Sequence, residues 1–163
     1  AAREVQAYRH AFKRRDAVLP MLPACAEEAT ERQNSNPVKL ITSGPEDRSD
    51  RPTWAGGRWR MTARSRWWNQ YREAPAVVMG HYWRLDARAK PDEITGDWDY
   101  PLGDCGPYEW MGPLRNVFCV DYSVGGRYAE RARGGAPPFQ TRLAALRWPE
   151  RELQFDDGER RTL

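Results

Sequence analysis

The chain has two histidines, and their surroundings differ. His10 lies between Arg9 and Ala11 in a charged, helical stretch, where a solvated surface imidazole is expected. His81 follows the wholly apolar run Ala76-Val77-Val78-Met79 and a glycine. An apolar run of that length after a proline reads as a buried strand. A glycine at its end lets the backbone turn sharply, so that the imidazole projects into a cleft. Neutral imidazole is the commonest side-chain ligand for transition metals, which makes His81 the candidate metal ligand. Gly-His by itself is also what a structural histidine at a strand end looks like.

Arginine is the second chemical resource. Of the 26 basic residues only Lys13, Lys39 and Lys90 are lysines. A guanidinium pairs bidentately with carboxylate or phosphate, although a GC-rich genome enriches arginine without any functional demand. Arg84, just after Gly-His-Tyr-Trp, and Arg58, in Gly-Gly-Arg-Trp-Arg, are the candidate contacts to a substrate phosphate. Asp121 lies on a strand near the same place and is read as structural. Cys25, Cys105 and Cys119 are odd in number and widely spaced, which argues against a disulfide framework and a cysteine zinc site. A reducing cytoplasm is the expected location. No apolar run approaches a membrane span.

These residues need elements to hold them. Val5, Tyr8 and Phe12 recur at helical spacing, predicting a helix that ends near Val18, and a second is expected at 24–32. A short helix or turn at 38–42 precedes a polar loop over 43–53. Residues 62–72 are expected to form a short helix. Strands are expected at 76–79 and 116–123, a long connection over 86–113, a flexible loop at 131–138, and a C-terminal hairpin from 141–148 and 151–155. Helices therefore gather in the first half and strands in the second, an α/β class in one domain over 1–163.

Tryptophans alternate with arginines between Trp54 and Tyr71. Such interleaving can bind single-stranded nucleic acid by stacking and phosphate contacts. The net charge of only +3 gives no strong electrostatic footprint, so packing is the preferred reading and nucleic acid the alternative.

The string Pro75-Ala76-Val77-Val78-Met79-Gly80-His81-Tyr82-Trp83-Arg84 resembles the Gly-His segment of calcineurin-like metallophosphoesterases. The segment 115–126, Arg-Asn-Val-Phe-Cys-Val-Asp-Tyr-Ser-Val-Gly-Gly, resembles the strand and glycines that follow it, and 143–150 the closing hairpin. The relationship is nearest to the bacterial serine/threonine-phosphatase and diadenosine-tetraphosphatase-like branch. It implies part of a layered sandwich with a mixed sheet. It also implies hydrolysis of phosphate esters by a water activated between two divalent ions of manganese, iron, zinc or nickel, with His81 among the ligands. Phosphoprotein, dinucleoside polyphosphate and small phosphoester all suit that chemistry. The family's Gly-Asp-x-His, Gly-Asp-x-x-Asp and Gly-Asn-His segments do not occur in the chain. The expectation is a C-terminal portion whose partner is the missing N-terminal half of the domain, inactive alone.

Overall fold

The computed structural model describes residues 1–89 and 100–163. The middle of the connection expected over 86–113, including Lys90, lies outside the described residues. The chain divides into two compact units, residues 1–65 with 95–101 and residues 66–94 with 102–163.

In the first unit, helix α1 (Ala2–Ala7) and a 3-10 turn (Ala11–Lys13) stand where one longer helix was expected. Helices α2 (Pro23–Asn34) and α3 (Pro37–Ser43) each begin on a proline, which fits the first turn because its missing N–H has no helical partner there. The Glu4 carboxylate accepts hydrogen bonds from the backbone N–H of Ala24 and Cys25, so an acidic group from α1 caps α2. The Asn36 side chain does the same for α3 through Val38 and Lys39.

The polar stretch expected as a loop is instead strand β1 (Glu46–Ala55), paired antiparallel with β2 (Arg58–Arg64). Gly56 and Gly57, at φ +61° and +74°, make the two-residue turn that this hairpin needs. Ser49 and Thr53 point inward among exposed charged residues. The helix expected over 62–72 is thus replaced by the end of β2 and a 3-10 turn at Trp67–Gln70. Leu19, Leu22, Ala26 and Met61 form the core of this unit.

The second unit holds a parallel pair, β3 (Val77–Met79) with β4 (Val117–Cys119), in the register Val77 to Val117 and Met79 to Cys119. All three β4 residues are fully buried, so this strand is the centre of its unit. On β3, Val78 is 46% exposed, and the outer edge of β3 has no strand partner among the described residues. Helix α4 (Arg127–Ala132) precedes the segment expected as a flexible loop and ends within its first two residues. The expected C-terminal hairpin is present as β5 (Ala144–Arg147) and β6 (Glu152–Phe155), extended by β7 (Arg160–Thr162). Trp68 is buried edge-on against Tyr82, with ring centroids 5.3 Å apart. The chain is thus a mixed helix and sheet protein, with strands in both halves.

A desolvated ionic cluster ties the second unit together. Arg142 and Asp86 have side chains 2% and 0% exposed, and Nη1 of Arg142 lies 3.1 Å from Oδ2 of Asp86. The same guanidinium meets Glu159 at 2.9 Å and Asp157 at 2.5 Å, and its carbon sits 3.4 Å from the Phe155 ring centroid. Tyr108 donates its hydroxyl to Asp86, and Arg88 bridges Asp157 and Glu159. Removing one member of such a pair strands a buried charge, which costs about 3–5 kcal/mol, whereas replacing both partners by apolar groups can be neutral. Arg142→Met should therefore lower the unfolding free energy in urea by about 3–5 kcal/mol, and adding Asp86→Leu should restore much of it.

The cluster also sets an acid limit. Desolvation raises the Asp157 carboxyl, but the Glu159 N–H, Arg88 and Arg142 together outweigh it and hold the pKa at about 2. Asp156 is lowered as well, chiefly by its hydrogen bond from Arg127. A carboxylate depressed in the folded state stabilises above its ordinary pKa of about 3.9 and loses that contribution as pH falls through the folded value. Followed by circular dichroism, stability should hold from neutrality to about pH 4 and fall steeply between about pH 4 and pH 2.

Candidate functional site

The C-terminal ends of β3 and β4 lie side by side, which places residues 80–84 beside residues 120–124. The ladder runs one step further, with Val120 N–H donating to the Met79 carbonyl at 2.9 Å. Arg84 N–H then donates to the Asp121 carbonyl at 2.7 Å. Between these two bonds the chain bulges outward, and His81 stands exposed on the bulge.

Asp121 fixes both loops with one carboxylate. Oδ2 accepts the His81 N–H at 2.8 Å, and Oδ1 accepts the Ser123 N–H at 2.9 Å. The structural role expected for Asp121 is therefore a specific one: it clamps the histidine loop to the start of the glycine turn. The sharp turn attributed to Gly80 is made by His81 itself, at φ +65°. Trp83 at φ +55° and Ser123 at φ +63° are also left-handed. Non-glycine residues avoid this region at about 1–2 kcal/mol each, and such conformations cluster at functional sites. The His81 and Trp83 rings meet edge to face, with centroids 6.5 Å apart.

The other candidates are placed elsewhere. Arg84 is 1% exposed; Nη1 donates to the Gly106 carbonyl at 2.8 Å, Nη2 to the Glu109 carbonyl at 2.9 Å, and the guanidinium lies over the Phe118 ring. It fastens the 106–109 turn to the core, and a phosphate would have to displace one of those carbonyls. Arg58 belongs to the first unit, exposed beside the glycine turn of the hairpin. His10 is exposed and accepts a hydrogen bond from Arg9.

What the sequence did not disclose is a cavity of about 1030 Å³ beside the histidine loop. Its walls include Trp83, Asp121, Ser123, Gly125, Arg133 and Thr141. The Glu130 carboxylate accepts the N–H groups of Gln140 and Thr141, both at 2.9 Å, and so closes the 133–140 loop over helix α4. Gly135 is needed for this closure, because a Cβ there would lie 2.9 Å from the Glu130 carbonyl oxygen. The Ser-Val-Gly-Gly segment at 123–126 was the available signal, but it reads equally well as a plain strand end.

Among the described residues, no three His, Cys, Asp or Glu side chains stand close enough to hold a metal ion. His81 supplies one donor, where even a single catalytic ion takes about three from the protein. Comparison with known protein families, curated proteins and solved structures finds no match to this chain.

If the His81 imidazole is carried for chemistry rather than for packing, stability should not depend on it. Relief of the left-handed backbone favours glycine, and the extra freedom of the unfolded chain offsets part of that gain. His81→Gly should then leave urea stability unchanged or raise it by up to about 1 kcal/mol. A clear loss of stability would make His81 a structural histidine.

Proposed function

We propose that residues 66–163 form the Gly-His-bearing portion of a calcineurin-like metallophosphoesterase, and that the complete protein hydrolyses phosphate esters. The single observation that carries this reading is the geometry of His81. An imidazole is presented at the C-terminal end of a parallel strand, the end where sheets of this kind commonly take ligands. It sits on a left-handed backbone whose N–H is clamped by the neighbouring strand's Asp121. Holding a donor in one position is what a metal site asks of its first ligand's support.

The remaining donors come, on this proposal, from a segment outside this chain. The outer edge of β3, with Val78 exposed, is a place where a further strand of the sandwich could pair. The contribution of this unit is one imidazole on a clamped backbone and a cavity beside it.

The alternative, a nucleic-acid module on the Trp/Arg stretch, is less well supported. Trp54 and Trp59 pack on each other edge to face at 5.6 Å, Trp59 donates its indole N–H to the Arg14 carbonyl, and Trp68 is buried. Stacking platforms need ring faces left open for bases.

The purified chain should bind manganese or zinc only weakly, with His81→Ala removing what binding there is. It should not hydrolyse p-nitrophenyl phosphate. Brisk metal-dependent turnover by this chain alone would overturn the assignment of the other ligands to another segment. Reading the coding sequence ahead of Ala1 bears on the family itself: an in-frame Gly-Asp-x-His segment supports the proposal, and a start codon directly before Ala1 with no such segment counts against it.

A further inference from the structure

We propose that the cavity beside the histidine loop is a binding site for a small organic cation, an ammonium group carried on an apolar body. The Trp83 indole and the carboxylates of Asp121 and Glu130 would hold it. The proposal goes beyond the hydrolase reading and needs neither a metal nor a phosphate. Three observations lead there.

The first is uncompensated charge. The second unit buries or half-buries the acids Asp86, Asp121, Glu130, Glu152 and Glu159. Asp86 and Glu159 pair with Arg142, and Glu152 lies 3.9 Å from Arg160. Asp121 and Glu130 make no ion pair among the described residues, and both line the cavity. Arg127, three positions before Glu130, is taken by Asp156. Each oxygen of the two carboxylates accepts one backbone N–H, from His81 and Ser123 on Asp121 and from Gln140 and Thr141 on Glu130. A carboxylate oxygen has two lone pairs, so each keeps room for a second donor. An ammonium group supplies both that donor and the missing charge.

The second is the ring. Trp83 is 48% exposed and forms one wall. Of the aromatic side chains, indole attracts a cation most strongly through its face. The one base on the walls, Arg133, is exposed, and its Nε turns back to the Ala129 carbonyl of α4 at 3.2 Å. Solvent screens its opposition to a cationic guest.

The third is size and lining. At about 1030 Å³ the cavity is at the upper end of ordinary small-molecule sites, roughly 300–1,000 Å³. Among the described residues, no third His, Cys, Asp or Glu joins the two acids to make a metal-ion site. Val124, Ala129, Ala136 and Pro138 add apolar surface, which suits the body of an organic cation rather than a bare ion.

The test uses three probes with one body: phenethylammonium, the neutral phenethyl alcohol and the anionic hydrocinnamate. Calorimetry and saturation-transfer NMR on the full chain, with no metal added, should show the ammonium binding on the order of 0.1–1 mM. The alcohol should bind about tenfold more weakly, and the carboxylate more weakly still. Trp83→Leu keeps apolar bulk but loses the indole face, and should weaken the ammonium about threefold or more. Arg133→Gln, at an exposed position, removes the opposing charge and should tighten the ammonium about twofold. Of the two histidines, His81 should shift its ring signals on binding, because its ring meets Trp83 edge to face. The proposal is overturned if the ammonium does not bind, or if the alcohol or the carboxylate binds as well. It is equally overturned if a Trp83→Leu variant folded by circular dichroism keeps full affinity, if Arg133→Gln weakens binding, or if the His81 signals stay still. None of these measurements involves metal or phosphate, so the hydrolase reading stands or falls separately, on the activity and upstream-sequence tests.

Discussion

The second unit depends on a charge pair that water does not reach. Asp86 has no exposed side-chain surface and Arg142 almost none, so each is tolerable only because the other is present. The pair joins the chain just past the histidine loop to the entrance of the C-terminal sheet. Around it lie further partners: Tyr108 on the carboxylate, Asp157 and Glu159 on the two terminal nitrogens of the guanidinium, and the Phe155 face beneath, while the Nε of Arg142 is left without a hydrogen bond. Arginine suits this position where lysine would not. Its planar fork reaches several acceptors at once and lies flat on an aromatic ring. Arg84, held on two main-chain carbonyls, is the other buried arginine, and Arg151 lies half-buried over the Trp110 ring.

A second carboxylate converts this scaffold into a site. Asp121 sits where β4 ends and divides its two oxygens between the histidine loop and the glycine turn. The imidazole and the cavity beside it are thus not independent features: both hang from one side chain. The left-handed residues His81, Trp83 and Ser123 flank that clamp, so the local backbone cost is concentrated where hydrogen bonding can hold it in place.

The legible parts of the sequence were those with a clean apolar pattern or a strong breaker. Ala76–Met79 and the 151–155 run predicted β3 and β6, and the helices expected at 24–32 and 38–42 are present as α2 and α3, each beginning one residue earlier on a proline. The first hairpin was hidden because β1 is built from Glu, Asp, Arg, Ser and Pro, with few β-branched or aromatic residues. Its pairing comes from the Gly56-Gly57 turn and from tertiary cover, not from propensity. Strand β4 is shorter than its apolar alternation suggests, because Asp121 and Ser123 leave the ladder to make the clamp. His81 was visible as a candidate from its place in the chain. Arg84 beside it gave no sign of burial, since an arginine's partners here are main-chain carbonyls 22 and 25 positions away. The cavity was illegible for the same reason, because the Glu130 contacts that close it leave no local pattern.

The parallel pairing of β3 with β4 has a kinetic corollary. Two parallel strands cannot be joined by a tight turn, and here the whole of residues 80–116 must close before Val77 can meet Val117. The antiparallel β5-β6-β7 meander needs only short closures. Loop closure must precede the contacts that reward it, so the meander is the natural early structure and the β3–β4 junction a late one. The histidine loop is then among the last parts of the chain to take shape, and until it does the apolar β3 segment is unshielded during synthesis.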